Sequence, residues 1–126
     1  MRKIVAILSA ALLTIVLDAA PARAAGPEVE ILWTLLVAKG AAVDVSYGVT
    51  CPEDTTGTVT VSIAQVRDDG LLAGGTTTEE LDCGALAMAR VTASVLGAPF
   101  ERGRASLSML VTGGPPFTAN VRLTKG

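Results

Sequence analysis

Two cysteines and a few runs of carboxylates are the residues of this chain whose side chains could carry chemistry. Cys51 and Cys83 are its only cysteines, and it contains no histidine. Thiol catalysis needs a free thiolate, a zinc site needs four donors that are usually Cys or His, and a serine triad needs a base such as His. The sequence therefore predicts no catalytic, cofactor-binding or metal-binding residues, and no enzyme.

The carboxylates occur in short runs at predicted turns: Glu53-Asp54, Asp68-Asp69, and Glu79-Glu80 with Asp82. Paired acids could hydrolyse a glycosidic bond or bind calcium. A domain of this size offers no deep sugar cleft, however, and the Asp68-Asp69-Gly70 run lacks the further oxygens and the closing glutamate of an EF-hand loop. We expect solvated acids at turns, with calcium binding and catalysis as the alternatives.

The two cysteines are expected to form a disulfide, because a pair in an exported protein is normally joined. In the chain-entropy model, closing a loop of about 33 residues stabilises a fold by roughly 3 to 4 kcal/mol. A chain with few aromatic residues has a core of small side chains, so a covalent link of this kind contributes substantially.

The start of the chain has the features of a signal peptide. A basic pair, Arg2-Lys3, precedes an apolar stretch at residues 4–17, and Ala22-Arg23-Ala24 has the small-x-small pattern that signal peptidase accepts. A membrane anchor is the alternative, but it needs roughly 18 apolar residues. We expect residues 1–24 to be removed and residues 25–126 to form one secreted domain, extracellular or in the cell envelope.

Charge limits the class of partner. The chain of 126 residues has a net charge of −2. Removing residues 1–24 takes away three cations and one acid, which leaves −4. No basic run remains, which argues against nucleic acid and anionic membrane as partners. The expected partner is an extracellular protein or a small ligand, with no membrane contact after cleavage.

Alternation of apolar and polar residues predicts an all-β fold. Val43, Val45, Tyr47 and Val49 occupy every second position, the period of a β-strand with one buried face. The pattern recurs along the chain, and Asp69-Gly70 is suited to a two-residue hairpin. Seven strands are predicted near residues 29–35, 43–50, 58–67, 76–81, 89–96, 104–112 and 117–124.

Seven short strands separated by Gly- and Pro-containing turns are typical of an immunoglobulin-like antiparallel β-sandwich. In that topology the end of the second strand lies beside the start of the fifth. Cys51 and Cys83 stand at those two points, so the topology brings them within disulfide distance.

Odd-numbered apolar residues are expected to face the core, and these include Trp33 and Val95. Several leucines do not fit the alternation: Leu32, Leu36, Leu110 and the Leu71-Leu72 pair after a predicted turn. If Leu32 and Leu36 cluster, they would form a patch for a partner or a second copy of the chain. The alternative is packing at a strand edge or a local twist.

Arginines recur on the polar faces of the last three strands. Arg90, Arg104 and Arg122 have Thr92, Ser106 and Asn120 as neighbours on those faces. A flat face of this composition is most often solvated sheet, and glycan or peptide binding is the alternative.

Binding by a β-sandwich commonly uses the loops at one end. Strict immunoglobulin order groups residues 52–57 with residues 113–116, whereas a looser order groups residues 52–57 with residues 97–102. We favour the strict order. The candidate partner contacts are then Pro52, Glu53, Asp54, Thr55, Gly113, Gly114 and Pro115.

The function expected from the residues is an exported, non-enzymatic domain that binds a partner or ligand through end loops. One alternative is a secreted protease inhibitor presenting the loop at residues 51–56, where the disulfide would lower the entropic cost of binding. Another is a carrier of a small apolar molecule, with Trp33, Tyr47 or Phe117 lining its cavity.

Four runs of the chain are similar to those of a known class of protein: Gly48-Val49-Thr50-Cys51-Pro52, residues 59–65, Cys83-Gly84 and residues 100–105. They resemble small exported actinobacterial proteins that carry one immunoglobulin-like sandwich and one disulfide. The likeness covers residues 42–124 and implies the fold without an activity. In size and class the chain is also similar to enediyne-carrying apoproteins of the neocarzinostatin type, whose framework has two disulfides where this chain has one.

Overall fold

The computed structural model describes residues 26–52 and 56–125, which form seven β-strands and one short turn of 3-10 type at Ala38–Gly40. The strands are β1 (Glu28–Val37), β2 (Ala42–Thr50), β3 (Thr58–Val66), β4 (Leu72–Glu80), β5 (Leu86–Thr92), β6 (Gly103–Val111) and β7 (Phe117–Lys125). The prediction of an all-β fold with seven strands is confirmed. Among the described residues, no helix has the length and apolar character needed to cross a bilayer.

The strands are joined in one hydrogen-bonded ladder in the order β4-β3-β6-β7-β1-β2-β5. All neighbours are antiparallel except β1 and β7, which pair in parallel over two residue pairs only, Leu35 with Thr124 and Leu36 with Lys125. The outermost strands, β4 and β5, lie close to each other. The mixed sheet therefore nearly closes on itself and encloses the core.

The core consists mainly of the odd-numbered residues that the alternation predicts to face inward. Val43, Val45 and Val91 have no exposed surface, and Phe117 and Val121 pack against the buried set from β7. The other buried apolar residues are Ala42, Tyr47, Val49, Val59, Val61, Ile63, Ala73, Ala89, Phe100, Ala105, Leu107, Met109, Val111 and Leu123.

A β-bulge in β1 reverses the expected orientation of its second half. The register with β2 shifts between Ile31 and Trp33, and an extra residue in one strand turns the following side chains to the opposite face. Thr34 is consequently buried, and Leu36 packs against the core. The prediction that Trp33 belongs to the core is wrong, since its side chain is 42% exposed.

Strand β5 ends earlier than predicted because the chain changes neighbours. Ala93 N–H still donates to Ala41 O of the β1–β2 connection at 2.8 Å, whereas the next amide, Ser94 N–H, donates to Gly74 O of β4 at 2.7 Å. This crossing from one edge of the ladder to the other carries Val95 out of the sheet. The expected inward position of Val95 is therefore wrong.

Two turns differ from the predictions in length or position. The hairpin between β3 and β4 has three loop residues, because Arg67 N–H donates to Leu71 O and Gly70 adopts a φ of 85° at the last loop position. Strand β4 also begins at Leu72 instead of near Thr76. Gly74 and Gly75 lie within the strand.

The predicted disulfide is present. The Cys51 and Cys83 sulfurs are 2.04 Å apart, and their Cα atoms are 5.6 Å apart. Gly48 in β2 pairs with Leu86 in β5, and Gly84 N–H donates to Val49 O at 2.8 Å, which brings the two cysteines together. The bond fixes the end of β2 to the segment that leads into β5.

Candidate functional site

The loops of the sheet gather at two ends. Residues 51–52, 56–57, 81–85 and 112–116 lie at the end that carries the disulfide, which we call the disulfide end. Residues 38–41, 67–71 and 93–102 connect strands at the opposite end, which we call the distal end. Each end brings together loops that are far apart in the sequence.

Four of the seven sequence-predicted contact residues lie at the disulfide end. Pro52 is exposed beside the disulfide, and Gly113, Gly114 and Pro115 lie in the exposed turn between β6 and β7. Glu53, Asp54 and Thr55 lie outside the described residues.

Thr112 joins the bases of the β2–β3 and β6–β7 loops. Its Oγ1 accepts a hydrogen bond from Thr58 N–H at 2.9 Å, and a Cβ built on Gly57 would overlap its side chain. The alternative grouping with residues 97–102 is wrong, because Phe100 N–H donates to Gly40 O at the distal end.

The distal end presents a cluster of exposed apolar side chains. Val95 and Leu96, in the connection between β5 and β6, are 96% and 95% exposed. Leu71 and Leu72 follow the β3–β4 turn, and Val66 precedes it. We call these five residues the distal surface. An apolar cluster left in water on a folded domain is typical of an interaction site.

Backbone hydrogen bonds hold the distal surface in place. Leu72 O accepts from Ala98 N–H at 3.0 Å, and Ser94 O accepts from Gly97 N–H at 3.1 Å. The loop that carries Val95 and Leu96 is thereby fixed along the outer edge of β4. Since the exposed side chains stand on a fixed backbone, a partner would meet them without a large ordering cost.

Beside the distal surface, the outer face of β3 and β4 forms an open, mainly apolar trough of 530 Å³. Ala64, Val66 and Leu72 contribute to its floor, and Leu96 lines it from the neighbouring loop. Ser106 of β6 also lines the trough. A second groove, lined by Leu71 and Leu96 among others, adjoins it, so the apolar area continues across the loop tips.

A buried amide positions the connection that follows the trough. Gln65 is 4% exposed, and its Nε2 donates to Glu101 O at 2.8 Å while its Oε1 accepts from Glu101 N–H at 3.0 Å. Nε2 also lies 3.3 Å from Arg104 O. Gln65 therefore fixes the loop to β3. The sequence contains the signal for this role, because Gln65 is a polar residue at a position where the alternation calls for an apolar one.

Arg67 holds the β3–β4 turn closed. Its guanidinium donates to both carboxylate oxygens of Asp69 and to Pro99 O, and it lies 3.7 Å from a Glu101 oxygen. Asp69 also accepts from Leu71 N–H, and this bond, followed by the bonds from Arg67, lowers the pKa of Asp69. Asp69 acts as a structural turn residue.

Asp44 of β2 and Arg90 of β5, which stand opposite each other in the pairing of these strands, form a bidentate ion pair. The Arg90 Nε and Nη2 donate to the two Asp44 oxygens at 2.7 and 2.9 Å. These bonds lower the pKa of Asp44 below its ordinary value of 3.8, although burial acts in the opposite direction. The sequence predicts Arg90 on a solvated face. In the structure its guanidinium is bound to the Asp44 carboxylate.

Charge is segregated between the two ends of the described chain. Every Lys and Arg in residues 26–52 and 56–125 lies in the distal half: Lys39, Arg67, Arg90, Arg102, Arg104, Arg122 and Lys125. The other half, next to the disulfide end, carries acids and no cation among the described residues: Glu28, Glu30, Glu79, Glu80 and Asp82. Four further acids lie among the cations of the distal half: Asp44, Asp68, Asp69 and Glu101. Burial raises the pKa of Tyr47 in the half next to the disulfide end, and the charges of Glu79 and Asp82 raise it further.

In the described part of the chain, no group of three or more Cys, Asp or Glu side chains is arranged to hold a metal ion. Both cysteines are consumed by the disulfide. The arrangement at the distal end can bind by apolar contact and by cationic side chains. Sequence reasoning identified Leu71 and Leu72 as exposed but missed Val66, Val95 and Leu96, which join them only in the folded chain.

Comparisons with known proteins add little. No protein-family model and no curated protein matches the sequence. A solved structure with some likeness is the alkylpurine DNA glycosylase AlkC of Pseudomonas fluorescens, bound to DNA containing an abasic site analogue. The match has 19% identity and a TM-score of 0.38, and covers 77% of this chain. The chain spans 30% of that protein. A likeness at this level does not bear on function.

Proposed function

We propose that the protein is an exported, non-enzymatic domain of immunoglobulin-like sandwich type that acts by binding a partner through the loops of its distal end. In this interpretation β1, β2 and β5 form one sheet, β3, β4, β6 and β7 form the other, and the two-residue link between β1 and β7 is the seam. The disulfide supports export, since such bonds persist in oxidising compartments.

The distal surface is the structural feature that best supports the proposed binding function. It places five large apolar side chains in solvent on connections fixed by hydrogen bonds, at a cost in solubility that binding would offset. The missing histidine and the bonded thiols support the non-enzymatic part of the proposal.

The test is capture from the medium and envelope of producing cells, using immobilised residues 25–126. We expect a component to be retained by the wild type and lost from a Leu71→Ser/Leu96→Ser variant. Leu86→Ser is the matched control, because Leu86 is 74% exposed at the disulfide end.

A variant with Glu53, Asp54 and Thr55 replaced by Ala tests the loop at the disulfide end. Loss of the component from this variant alone would assign binding to that end and overturn the distal assignment. Turnover of a hydrolase substrate panel, abolished by changing one acid, would overturn the non-enzymatic proposal.

A carrier of a small apolar molecule is a second candidate, favoured by the trough at Ala64, Val66 and Leu72. Its expected result is saturable binding of an apolar fluorescent probe, with loss of the signal in Leu72→Ser. Probe binding with unchanged affinity in that variant would contradict the carrier function.

A further inference from the structure

We propose that the distal end docks on the surface of an anionic lipid bilayer, with the distal surface entering the interfacial region and the surrounding cations binding lipid phosphates. This inference rests on the function proposed above, binding through the distal end, and identifies the partner as a lipid bilayer. It departs from the expectation drawn from the sequence, where no basic run exists, because the cations come together only through the fold.

Five cations of the distal end are exposed and have no carboxylate within ion-pair distance among the described residues. They are Lys39, Arg102, Arg104, Arg122 and Lys125. Arg102, Arg122 and Lys125 line one groove, and Lys39 and Lys125 line the next. Of the acids in the distal half, Asp44 is paired with Arg90, and Asp69 and Glu101 are paired with Arg67, which leaves Asp68 as the one without an ion pair among the described residues. Anionic headgroups would neutralise this excess of positive charge.

Arg104 and Arg122 stand directly opposite each other on β6 and β7. Like charges at opposed positions of an antiparallel pair repel and destabilise the sheet. No described carboxylate relieves this pair. Phosphate oxygens bind guanidinium groups through two parallel hydrogen bonds, so a lipid phosphate would bridge the two side chains and remove the repulsion.

The cations adjoin the apolar residues on the same face. Ala64 pairs with Ser106, and Val66 and Arg104 are the next two outward-facing residues in that register. Val66 pairs with Leu72 and Arg104 pairs with Arg122, so an apolar pair and a cationic pair follow directly on the last β3–β6 pair, Ala64 with Ser106. An apolar area bordered by cations matches the acyl and phosphate layers of an interface.

The form of the distal surface favours a bilayer over a single small ligand. Val95 and Leu96 are almost fully exposed at a loop tip, whereas a small-ligand site encloses its lining residues. The acids of the opposite end would orient the molecule, because a negative membrane repels Glu79, Glu80 and Asp82 while it attracts the distal cations.

Sedimentation of residues 25–126 with lipid vesicles tests this proposal. We expect binding to vesicles of phosphatidylglycerol and phosphatidylcholine, none to phosphatidylcholine alone, and weakening as salt is raised. Arg104→Gln/Arg122→Gln should weaken binding about thirtyfold at low salt, from the loss of two surface cations. Val95→Ser/Leu96→Ser should weaken it by at least about tenfold, from lost apolar burial.

Leu86→Ser/Met88→Ser is the control, because both residues are exposed on β5, outside the distal surface. It should bind vesicles as the wild type does. Melting curves of all variants report whether each is folded, and unchanged binding by folded variants of both distal pairs would overturn the proposal.

Insertion depth gives a second readout that does not depend on removing residues. Trp33 is the only tryptophan, so Trp33→Phe combined with Leu96→Trp places one indole at the loop tip. Its emission should shift to shorter wavelength when anionic vesicles are added. No shift, or capture of a protein through the distal surface without vesicle binding, would refute the lipid assignment. The second result would leave the proposed binding function standing.

Discussion

Gly75 in β4 faces the carbonyl oxygen of Thr92 in β5 so closely that a Cβ built on the glycine would lie inside 3.0 Å of that oxygen. The contact joins the two outermost strands of the ladder, which share no strand pairing. The close approach of the sheet edges thus depends on the missing side chain.

Gly75→Ala should therefore destabilise the protein by about 1 to 3 kcal/mol, the usual cost of overpacking. Gly74→Ala is the matched control, because its Cβ would meet nothing closer than Ile63 O at 3.4 Å. Urea denaturation of both variants measures the difference. Equal stabilities would mean that β4 and β5 are further apart than described.

Replacing both cysteines by serine should lower the free energy of unfolding by about 3 to 4 kcal/mol, since the disulfide closes a loop of about 33 residues. The melting temperature should fall by more than about 10 °C in a domain of this size. Calorimetry of the double variant, with the reduced wild type alongside, checks the prediction. A fall of a degree or two would contradict it.

The Asp44–Arg90 pair should make the stability of the protein depend on pH in the acidic range. Because the pKa of Asp44 is lowered in the folded state, its stabilising contribution is present above the unfolded value of 3.8 and is lost as the pH falls through the folded value. At pH 7, Asp44→Asn should cost about 1 to 3 kcal/mol. Below about pH 4 the gap between variant and wild type should narrow. Melting curves from pH 7 to about pH 2.5 measure this, and a gap independent of pH would refute it.

Removing the Gln65 amide should loosen the β5–β6 connection. Gln65→Leu keeps most of the volume but leaves Glu101 N–H without its acceptor, at a cost of about 1 to 3 kcal/mol. Hydrogen exchange at the Glu101 amide should accelerate more than at Val61 in the middle of β3. Ser106→Ala, at an exposed position on β6, serves as the control and should leave that exchange rate unchanged.

The fluorescence of the native protein should be quenched by small solutes such as acrylamide. Trp33 is the sole tryptophan and its side chain is half-exposed after the bulge in β1. A titration of the folded protein, compared with the denatured one, measures its accessibility. A native indole shielded from the quencher would show that the bulge does not turn it outward.

The strands and their inward faces were predictable because alternation is a local signal. Val43 to Val49 and Ala105 to Val111 carry it unbroken, and their odd-numbered residues are buried as predicted. In β2, however, Asp44 and Ser46 on the other face are buried as well. The bulge at Ile31 and Trp33 was not predictable, since a run of apolar residues on both parities is compatible with several registers. The pairing of β1 with β2 selects one of them.

The distal surface could not be predicted because its members come from separate segments. Leu71 and Leu72 stand at a turn, but Val95 and Leu96 join them only because Ser94 and Ala98 bond to the edge of β4. The charge separation has the same origin. Alternate strands run in opposite directions, so Arg104 at the start of β6 and Arg122 near the end of β7 meet at one end.

A molecule whose described cations all lie in one half, with acids and no described cation in the other half, should behave as an electric dipole during ion-exchange chromatography. At pH 7 and low salt, an acidic protein of this kind would be retained by an anion exchanger through Glu79, Glu80 and Asp82. The same protein would be retained by a cation exchanger through Arg102, Arg104 and Arg122, despite its negative net charge. Each resin would hold it by a different end, so that resin-bound protein would offer either the disulfide end or the distal end to the solution.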